Sequence, residues 1–414
     1  MSMIRIDHKP EIKLAYVHSM TYPSVEANAL QAIKMASAFS TLVDTTFIMP
    51  GLKTSKLVLQ HQYDLPDSPL KIRSLYLERF PNMLRSNYDK FISLYIRFHP
   101  SWVMFKGQKI LYVRDPRELN FWGLQREHQA WLRDWIFIFE ADDVVGLDPS
   151  QFQGSNPFDL INGIEGQRRQ ELLRALLNFD LVVCVTQALA DDLNSWSNNK
   201  IRTQVVRHAS SLQRVPRPPQ IRSFDHKIVL GYIGTIDQYR GVNLLLDAMR
   251  LLPQNYSLRL VGRFRQEKGV DPNWLNKYME DPQISTRVDV IGAVPTREVA
   301  AEIDRCDIVL QPASSDLIDA RYASPMKSYD YMVRGKPIVA ADVPGHHELF
   351  RDGENAILYR LEPECLAESI KRLVNHPDLA EKIATAGWEQ SIEYTYQRRA
   401  AKILSFVLSV AKIG

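Results

Sequence analysis

Residues 324–345 read SPMKSYDYMVRGKPIVAADVPG, and this stretch decides the predicted fold. It predicts a short helix that opens on Ser324 and Pro325, ends at Gly335 and runs directly into the apolar strand PIVAAD. Lys327 falls in the first turn, where the positive end of the helix dipole disfavours a cation, and Asp330 follows about one turn later. Packing requires neither side chain, so we interpret both as candidates for ligand binding.

The same alternation of apolar runs and helix-length segments extends along the chain. Runs that are apolar almost throughout predict parallel strands covered by helices on both faces. In the first half these runs are IKLAYVHS, TTFIMP, KILYVRD, WIFIFEAD, DLVVCVT and TQVVRH. In the second half they are IVLGYIG, SLRLVG, VDVIG, DIVLQPA, PIVAAD and AILYR. The predicted fold class is α/β, with two Rossmann-like, doubly wound domains facing a cleft.

The domain boundary is predicted by prolines that interrupt regular structure at positions 216, 218 and 219. We assign residues 1–215 to an N-terminal Rossmann-like domain and 216–227 to the linker. Residues 228–390 form the predicted second domain. Residues 391–414 are predicted as a C-terminal helix that packs back on the first domain.

Composition sets broad limits on the class of protein. A length of 414 residues, with 45% hydrophobic and 24% charged residues, suits a soluble globular protein of two domains. Cys184, Cys306 and Cys365 show neither pairing nor metal-ligand spacing, so we expect buried thiols in a reducing compartment. The first residues lack a signal-peptide pattern, and no apolar run of about 18 residues occurs. We therefore expect a cytoplasmic protein whose membrane contact, if any, is peripheral.

Positive charge is concentrated in one region of the first domain. Residues 71–133 contain 12 basic and 5 acidic side chains, an excess of 7. Within this region aromatic residues recur at spacings of three and four, at Tyr88, Phe91, Tyr95, Phe98 and Trp102. They are interleaved with Lys90, Arg97 and Lys106. Two interpretations stay open: a core-facing helix with solvated cations, or a peripheral helix that rests on anionic lipid at the inner face of the plasma membrane.

The loop GYIGTIDQYRG, residues 231–241, follows a predicted strand and precedes a predicted helix. It matches neither the Rossmann GxGxxG pattern nor a Walker loop. Arg240, immediately before the helix, can nevertheless clamp phosphate. Lys327 and the helix that opens on Ser324 would bind the same diphosphate, and Asp330 would accept hydrogen bonds from a ribose.

Several of these motifs together resemble the retaining glycosyltransferases of family 4, which have the GT-B fold. YPSVEANALQAIKMASAF is similar to the opening loop and helix of bacterial capsule and exopolysaccharide members. FEADD resembles the family's Phe-Glu-x-His-Asp segment, and YIGTIDQYRGVNLLLDAM its Gly-Arg…Lys-Gly loop. SPMKSYDYMVRGKPIVAADVPG is similar to the donor motif with two Glu separated by seven residues, and YTYQRRAAKIL to the final helix.

This resemblance implies that residues 1–215 form the acceptor-side domain and residues 228–390 the nucleotide-sugar-binding domain. It also implies a set of site residues. The implied catalytic residues are Arg240, Lys327 and Asp142, with no metal. The implied donor-binding residues are Gly234, Thr235, Arg240, Arg263, Val294, Ser324, Pro325, Met326, Lys327 and Asp330, and the base is expected near Gly262, Arg263, Gly292 and Val294. The implied acceptor-side residues are Tyr22, Ser24 and Glu140.

The chain departs from the family pattern at four positions. Asp330 replaces the second Glu of the donor motif, and Tyr322 replaces the first, with Asp316 or Asp319 as candidate substitutes. Thr235 replaces the first cation of the Gly-Arg…Lys-Gly loop. Asp142 replaces the His, with Glu140 and Asp143 as nearby candidates.

The expected activity is retaining transfer of a hexose or N-acetylhexosamine from a nucleotide sugar, UDP-glucose or UDP-GlcNAc, to a glycan or lipid-linked acceptor in polysaccharide biosynthesis. No cofactor, metal or nucleic-acid partner is expected. Two alternatives remain at this point: a nucleotide-sugar 2-epimerase of the same architecture, and an inactive nucleotide-sugar-binding subunit. A dinucleotide oxidoreductase is disfavoured because the glycine fingerprint is missing.

Overall fold

The computed structural model describes residues 11–24, 26–76, 87–142, 164–217, 220–221, 223–225, 227–266, 270–313, 317–322 and 324–411. Four residues that entered the predictions, Asp143, Pro218, Pro219 and Asp316, lie outside this described part, as does the side chain of Asp319.

The first domain is built on a parallel sheet of nearly continuous apolar runs. Its described strands are β1 (Ile12–Val17), β2 (Asp44–Met49), β3 (Lys71–Ser74), β4 (Gln108–Val113), β5 (Trp135–Ala141), β6 (Leu181–Cys184) and β7 (Thr203–Val205). The spatial order is β3-β2-β1-β4-β5-β6-β7. Because the order reverses between β1 and β4, a crevice opens at the carboxyl ends of these two strands.

Helices cover both faces of this sheet. They are α1 (Ala27–Ser40), α2 (Lys56–Gln62), α3 (Tyr88–Phe98), α4 (Pro100–Val103), α5 (Pro116–His128), α6 (Ile164–Leu176) and α7 (Gln187–Trp196). A short 3-10 helix spans Ala130–Leu132. Separate apolar clusters fill the two faces, which explains why β5 is buried at every one of its positions.

The second domain repeats this arrangement on a smaller parallel sheet. Its described strands are β8 (Ile228–Ile233), β9 (Tyr256–Val261), β10 (Val288–Gly292), β11 (Ile308–Gln311), β12 (Ile338–Ala341) and β13 (Ile357–Tyr359). The spatial order is β10-β9-β8-β11-β12-β13, so the reversal falls between β8 and β11. The predicted pair of doubly wound domains is therefore confirmed, with a sheet on each side of the predicted linker.

The helices of the second domain include the one predicted from the opening stretch, α13. They are α8 (Val242–Leu251), α9 (Trp274–Met279), α10 (Pro282–Ser285), α11 (Val299–Asp304), α12 (Leu317–Tyr322), α13 (Met326–Val333), α14 (Pro344–His347), α15 (Pro363–Asn375), α16 (Pro377–Gln390) and α17 (Tyr396–Ala411). Short 3-10 helices span Thr296–Glu298 and Ser391–Glu393.

The C-terminal helix crosses back to the first domain as predicted. The break expected near Glu393 to Tyr396 lies between the 3-10 turn Ser391–Glu393 and the start of α17. The buried face of α17 joins the first domain's apolar cluster through Tyr396, Ala400, Ile403, Leu404 and Val407. The chain therefore passes twice between the two domains, once through the linker and once at α17.

The aromatic stripe divides between core and surface. Tyr88 and Trp102 are buried, and Phe91 and Tyr95 pack partly buried against the same cluster. Phe98 is 64% exposed, next to Leu94 at 50%, Val103 at 60% and Met104 at 77%. We call these four exposed side chains the apolar patch. The stripe is therefore neither wholly core nor wholly surface.

The cysteine prediction is confirmed for two of the three thiols. Cys184 and Cys306 are buried, whereas Cys365 is only partly buried because α15 turns it toward the surface. Among the described helices, none has both the length and the apolar character needed to cross a bilayer.

Candidate active site

At the carboxyl ends of β8, β9 and β10, Gly234, Gly262 and Gly292 form a main-chain surface without side chains, which we call the backbone floor. Gly262 has a φ of +151°, and a Cβ at this position would lie 1.8 Å from the carbonyl oxygen of Gly234. The Gly262 N–H donates to the Gly292 carbonyl at 2.8 Å, and the Gly234 N–H donates to that of Val261 at 2.8 Å. Without side chains here, a ligand can approach the main chain closely.

Lys327 lies beside this floor, as predicted. Helix α13 begins at Met326, with Pro325 extended at its N-cap. The Lys327 Nζ donates to the Tyr232 hydroxyl at 3.1 Å and lies 3.1 Å from the position that a Cβ of Gly234 would take. Tyr232 in turn donates to the Thr235 carbonyl at 2.7 Å. The ammonium is therefore positioned over the loop that follows β8.

Ser324 and Pro325 face the first domain across a small gap. Residues Val185, Thr186 and Arg207 of the first domain line its other side. The Ser324 hydroxyl is within 2.8 Å of the Tyr329 hydroxyl, which orients it at the start of α13. The start of this helix therefore opens into the space between the domains, as the sequence predicts.

Arg240 ends the same loop, immediately before α8. Its backbone N–H donates to Asp237 Oδ1 at 2.9 Å, and its Nη1 donates to Asp237 Oδ2 at 2.5 Å. Asp237 is fully buried, whereas the Arg240 side chain is 33% exposed. Arg265, which the sequence analysis missed, also contacts Asp237, with its Nη2 3.1 Å from Oδ2. We call Arg240, Arg265 and Lys327 the cationic edge.

Arg263 and Val294 occupy the places predicted for base recognition, at the ends of β9 and β10. Val294 is half-buried against the cluster beneath the floor. Both Nη atoms of Arg263 donate to the carboxylate of Glu26 in the first domain, at 2.8 and 3.1 Å. Arg263 therefore bridges the cleft in this conformation.

Asp330, one turn after Lys327 on α13, contacts the end of the first domain. Its Oδ1 accepts from the Ser210 hydroxyl at 2.6 Å and from the Ser211 N–H at 3.0 Å, just before the linker. Burial raises its pKa to about 6, against the opposing effect of these hydrogen bonds and of Lys34. The aspartate, one methylene shorter than glutamate, ties α13 to the chain that leaves the first domain. Its role at the ribose stays a prediction.

Tyr22 and Ser24 hold the opening loop of the first domain in place. Tyr22 is fully buried, packs edge-on to Phe47, and donates its hydroxyl proton to the Ala29 carbonyl at 3.2 Å. Tyr22 is thus a core residue in this structure, and its assignment to the acceptor side stays a prediction. Ser24 is held through its backbone, whose N–H donates to the Tyr63 hydroxyl at 2.7 Å.

Glu140 and Asp142 lie at the end of β5 in a buried ion-pair cluster that also contains Arg114, His208 and Arg399. Glu140 Oε2 accepts from Arg399 Nη1 at 2.9 Å, and Glu140 Oε1 lies 3.6 Å from Arg114 Nε. Burial alone would raise the pKa of Glu140, but the two guanidinium groups outweigh it and hold the pKa at about 2. Glu140 is 1% exposed and takes part in a buried ion pair, and its assignment to the acceptor side stays a prediction.

Asp142 keeps partial access to the cleft. It accepts from Arg114 Nη2 and lies 3.6 Å from His208 Nε2, while its side chain is 34% exposed. Burial and the two arginines lower the pKa of His208 well below its usual value, so this imidazole is neutral. The catalytic role of Asp142 stays a prediction.

The ligand atoms of Glu140, Asp142 and His208 lie within 4.8 Å of one another, which is close enough for a metal ion. The charges argue otherwise, because Arg114 and Arg399 already pair with the carboxylates. A divalent cation would have to displace at least one guanidinium group from a buried site. These residues therefore fit a metal poorly.

The two domains are joined by ion pairs that the sequence analysis missed. Glu348 of the second domain accepts from the N–H groups of Gln187 and Ala188, at 2.7 and 2.9 Å, at the start of α7. Arg321 donates to both oxygens of Asp192 at 2.9 Å, and the Tyr322 hydroxyl donates to the same carboxylate. Tyr322, which replaces the first Glu of the donor motif, thus serves in a domain contact.

A polar group at the ends of β1 and β4 was also missed. The Ser19 hydroxyl donates to Asp115, and His18 Nε2 lies 3.4 Å from the Asn28 side-chain oxygen. These residues lie at the switch point of the first sheet, where ligands of doubly wound domains bind. The sequence contains a signal for these residues, because β1 and β4 each end in polar residues after an apolar run.

Comparison with known proteins agrees with this architecture. Residues 216–390 match the family described as glycosyl transferases group 1. An uncharacterised glycosyltransferase of Methanocaldococcus jannaschii is 25% identical over 246 residues, which cover 59% of this chain and 63% of that protein. The chain thus spans less than two thirds of the length of this relative.

Two solved structures are similar over nearly their whole length. HepE of Anabaena, in complex with UDP and glucose, matches with a TM-score of 0.67 at 15% identity, covering 96% of this chain and 99% of that one. Sucrose-phosphate synthase of Thermosynechococcus elongatus matches with a TM-score of 0.72 at 16% identity, covering 97% and 100%. At this identity the similarity concerns the fold.

By fold the chain is therefore a member of the GT-B class. Residues 216–390 of the second domain carry the match to the glycosyl transferases group 1, and this match agrees with the predicted resemblance to family 4. The predicted fold is confirmed, and the predicted resemblance is supported by that match. The capsule or exopolysaccharide type stays a prediction.

Proposed function

We propose that the protein transfers a hexose or N-acetylhexosamine, with retention of anomeric configuration, from UDP-glucose or UDP-GlcNAc to a glycan or lipid-linked acceptor. The observation that carries this proposal is the cationic edge beside the backbone floor, at the carboxyl ends of the second sheet. Diphosphate binds where cations and main-chain N–H groups converge. The group 1 match supports nucleotide-sugar chemistry at this position.

The chemistry needs this charge at the leaving group. As the glycosidic bond breaks, the diphosphate gains negative charge and the anomeric carbon becomes oxocarbenium-like. Donors fixed in advance at the diphosphate are the main catalytic contribution in such a site. Lys327 and Arg240 supply them, and we propose that they act without a divalent metal. A β-phosphate oxygen then accepts the proton of the acceptor hydroxyl on the same face of the sugar.

The first domain supplies the acceptor side of the cleft. Asp142, with its partly exposed carboxylate, is the proposed contact to the transferred sugar. Ser19 and Asp115 at the switch point of the first sheet are further proposed acceptor contacts. A carboxylate can accept hydrogen bonds from sugar hydroxyls, which suits a glycan.

We further propose that the acceptor is presented at the cytoplasmic face of a membrane, which the protein contacts peripherally. The apolar patch on α3 and α4 supports this proposal, because Lys90, Arg97 and Lys106 are exposed around it. Apolar side chains ringed by cations are what a protein surface needs to rest on anionic lipid.

One observation favours a second candidate function, an inactive nucleotide-sugar-binding subunit. Tyr322 and Glu140 stand in the family's active-site motifs, yet both side chains serve in ion-pair networks here. Such a subunit would retain donor binding through the cationic edge without turnover.

The test begins with equilibrium binding of UDP, GDP and ADP, followed by incubation with each labelled sugar nucleotide. Each donor is supplied alone and with a panel of glycan and polyprenyl-linked acceptors, and Lys327→Ala serves as the matched inactive protein. The proposal expects acceptor-dependent release of UDP and a labelled product. Conversion of the donor alone into another sugar nucleotide would identify an epimerase. Donor binding without turnover on any acceptor would favour the inactive subunit.

A further inference from the structure

One of the two cations that the family pattern places at the diphosphate site is missing from this sequence. The resemblance implies two cations in the loop after β8, and Thr235 occupies the first of the two positions. Its carbonyl accepts from the Tyr232 hydroxyl at 2.7 Å, and its side chain carries no charge. The loop itself therefore supplies only Arg240.

A neighbouring loop brings in another cation. Beyond the ends of β8 and β9, the pairing continues as an isolated bridge between Ile236 and Phe264. The Ile236 N–H donates to the Arg263 carbonyl at 2.8 Å, and the Arg265 N–H donates to the Ile236 carbonyl at 3.1 Å. This bridge fixes the backbone of Arg265 alongside that of Asp237.

The side chains confirm the closeness of the two loops. Arg240 and Arg265 both contact the carboxylate of Asp237, at 2.5 and 3.1 Å. Asp237 is fully buried, whereas the two arginine side chains are 33% and 42% exposed. One carboxylate balances one guanidinium group, so the trio carries a net positive charge on its exposed side.

The total charge suits a diphosphate. Among the described residues, Lys327 adds a further cation beside the loop after β8, where its Nζ donates to the Tyr232 hydroxyl. A guanidinium group has five N–H donors, and a contact to Asp237 leaves donors for phosphate oxygens. By contrast, Arg263, two residues before Arg265, donates to both carboxylate oxygens of Glu26.

We infer that Arg265 is a diphosphate-binding residue that supplies the second cation absent at Thr235, and that Asp237 positions it beside Arg240. The inference rests on the proposed function, because it concerns the same donor site. The two arginines that bind the diphosphate then come from two loops, Arg240 from the loop after β8 and Arg265 from the loop after β9.

The experiment measures affinities of the full chain for UDP and for uridine, which differ only in the diphosphate. Arg265→Ala should weaken UDP binding by about tenfold or more, as expected for a charge-assisted contact, and leave uridine within about twofold. Arg265→Gln keeps much of the side-chain length and a hydrogen bond to Asp237 but removes the charge, and should show the same selective loss.

Arg250→Ala is the matched control. Its side chain is 38% exposed and pairs with Asp247 and Asp281 at 2.8 and 2.9 Å in the same domain, at the last turn of α8. It should leave UDP affinity unchanged. Thr235→Arg in the Arg265→Ala background should restore most of the lost affinity, because it returns the missing cation.

The outcomes separate this inference from the function on which it rests. Equal loss of UDP and uridine affinity in Arg265→Gln would overturn the inference and assign the arginine to loop packing. Unchanged UDP affinity in both variants would overturn it as well, with donor binding intact. A parent protein that binds none of UDP, GDP and ADP would overturn the proposed function itself.

Discussion

The carboxyl edges of the two sheets use charge in opposite ways. In the buried ion-pair cluster of the first domain, Glu140 and Arg399 are 1% and 3% exposed and bind each other. At the cationic edge of the second domain, arginine side chains that are 33% and 42% exposed share one carboxylate. The first arrangement balances its charges internally, and the second places two partly exposed arginines on one buried carboxylate.

This difference separates residues that hold the protein together from residues that can bind a ligand. A buried ion pair whose partners satisfy each other has little to offer a substrate and much to lose when one partner is removed. Cations that outnumber nearby carboxylates are stabilised further by an anion. The comparison therefore predicts stability effects in the first domain and binding or rate effects in the second.

The largest expected effect comes from removing Arg399. Arg399→Met leaves the buried carboxylate of Glu140 without its closest cation, and should lower the free energy of unfolding by about 3–5 kcal/mol. Denaturant titration at neutral pH measures this loss. Because ion pairing lowers the pKa of Glu140 in the folded state, the stabilisation exists above pH 4.5 and is lost as pH falls toward 2. The variant and the parent should therefore converge in acid.

Arg398→Ala is the neighbouring control. Its side chain is 51% exposed and pairs with an exposed Glu393, so its loss should be within about 1 kcal/mol. Adding Glu140→Gln to Arg399→Met should recover part of the stability, since it removes the unpaired charge. A double variant less stable than Arg399→Met alone would contradict the pairing.

The next largest effect is expected at the cationic edge of the second domain. Lys327→Ala should lower turnover by about 100-fold or more, since it removes a donor that acts on the developing charge of the diphosphate. The free energy of unfolding should change little. Lys277→Ala, an exposed lysine of the same domain paired with Asp271, is the control and should retain full turnover. Turnover of Lys327→Ala within threefold of the parent would remove this lysine from the site.

A smaller effect tests Asp330, which belongs to the second domain but is buried like the first-domain cluster. Burial raises its pKa to about 6 from the usual 3.8, so the folded protein binds more protons than the unfolded chain between these values. Its contribution to stability therefore falls as pH rises from about 4 to 6. Asp330→Asn should become more stable relative to the parent over this window, by roughly 1–3 kcal/mol.

The same variant decides the role of Asp330 at the ribose. If its contacts to Ser210 and Ser211 are its whole function, UDP affinity should change by less than about threefold. A loss of UDP affinity of tenfold or more, without the pH-dependent change in stability, would place the carboxylate at the ribose. It would also contradict the distinction between buried charges and charges that face the cleft.

Local patterns in the sequence predicted the fold and indicated candidate site residues in the second domain, whose roles stay predictions. Apolar runs, helix starts and the position of Lys327 in the first turn of α13 are short-range signals, and the structure confirms the doubly wound sheets that they indicated. The linker prolines marked the boundary on the same basis. Such signals suffice where a residue's environment is determined by its neighbours in the chain.

Residues whose partners lie far away in sequence were not predictable in this way. Asp192 and Tyr322 are 130 residues apart, and Glu140 and Arg399 are 259 apart. Tyr322 and Glu140 were predicted only from their motif positions, whereas their partners come from another domain or from the C-terminal helix. Arg265 was missed because the bridge that brings it to Asp237 lies beyond the predicted strand ends.

The smallest expected effect concerns the surface around the apolar patch, within the stretch 71–133 that has an excess of 7 basic residues. Lys90, Arg97 and Lys106 of this stretch are exposed. Each such cation contributes about 1 kcal/mol to adsorption on anionic lipid, and salt screens that contribution. Vesicle flotation should therefore show binding to anionic but not neutral vesicles at low salt.

Two variants separate the charge from the apolar contact. Charge reversal at Lys90, Arg97 and Lys106 should abolish binding, and Phe98→Ser should weaken it while leaving the salt dependence, because the 64% exposed ring would be inserted between lipids. Reversal of Lys277, Arg297 and Arg360, three well-exposed cations of the second domain, is the matched control and should leave flotation unchanged. If the control variant loses binding equally, adsorption follows net charge rather than this patch, and the acceptor must be sought in solution.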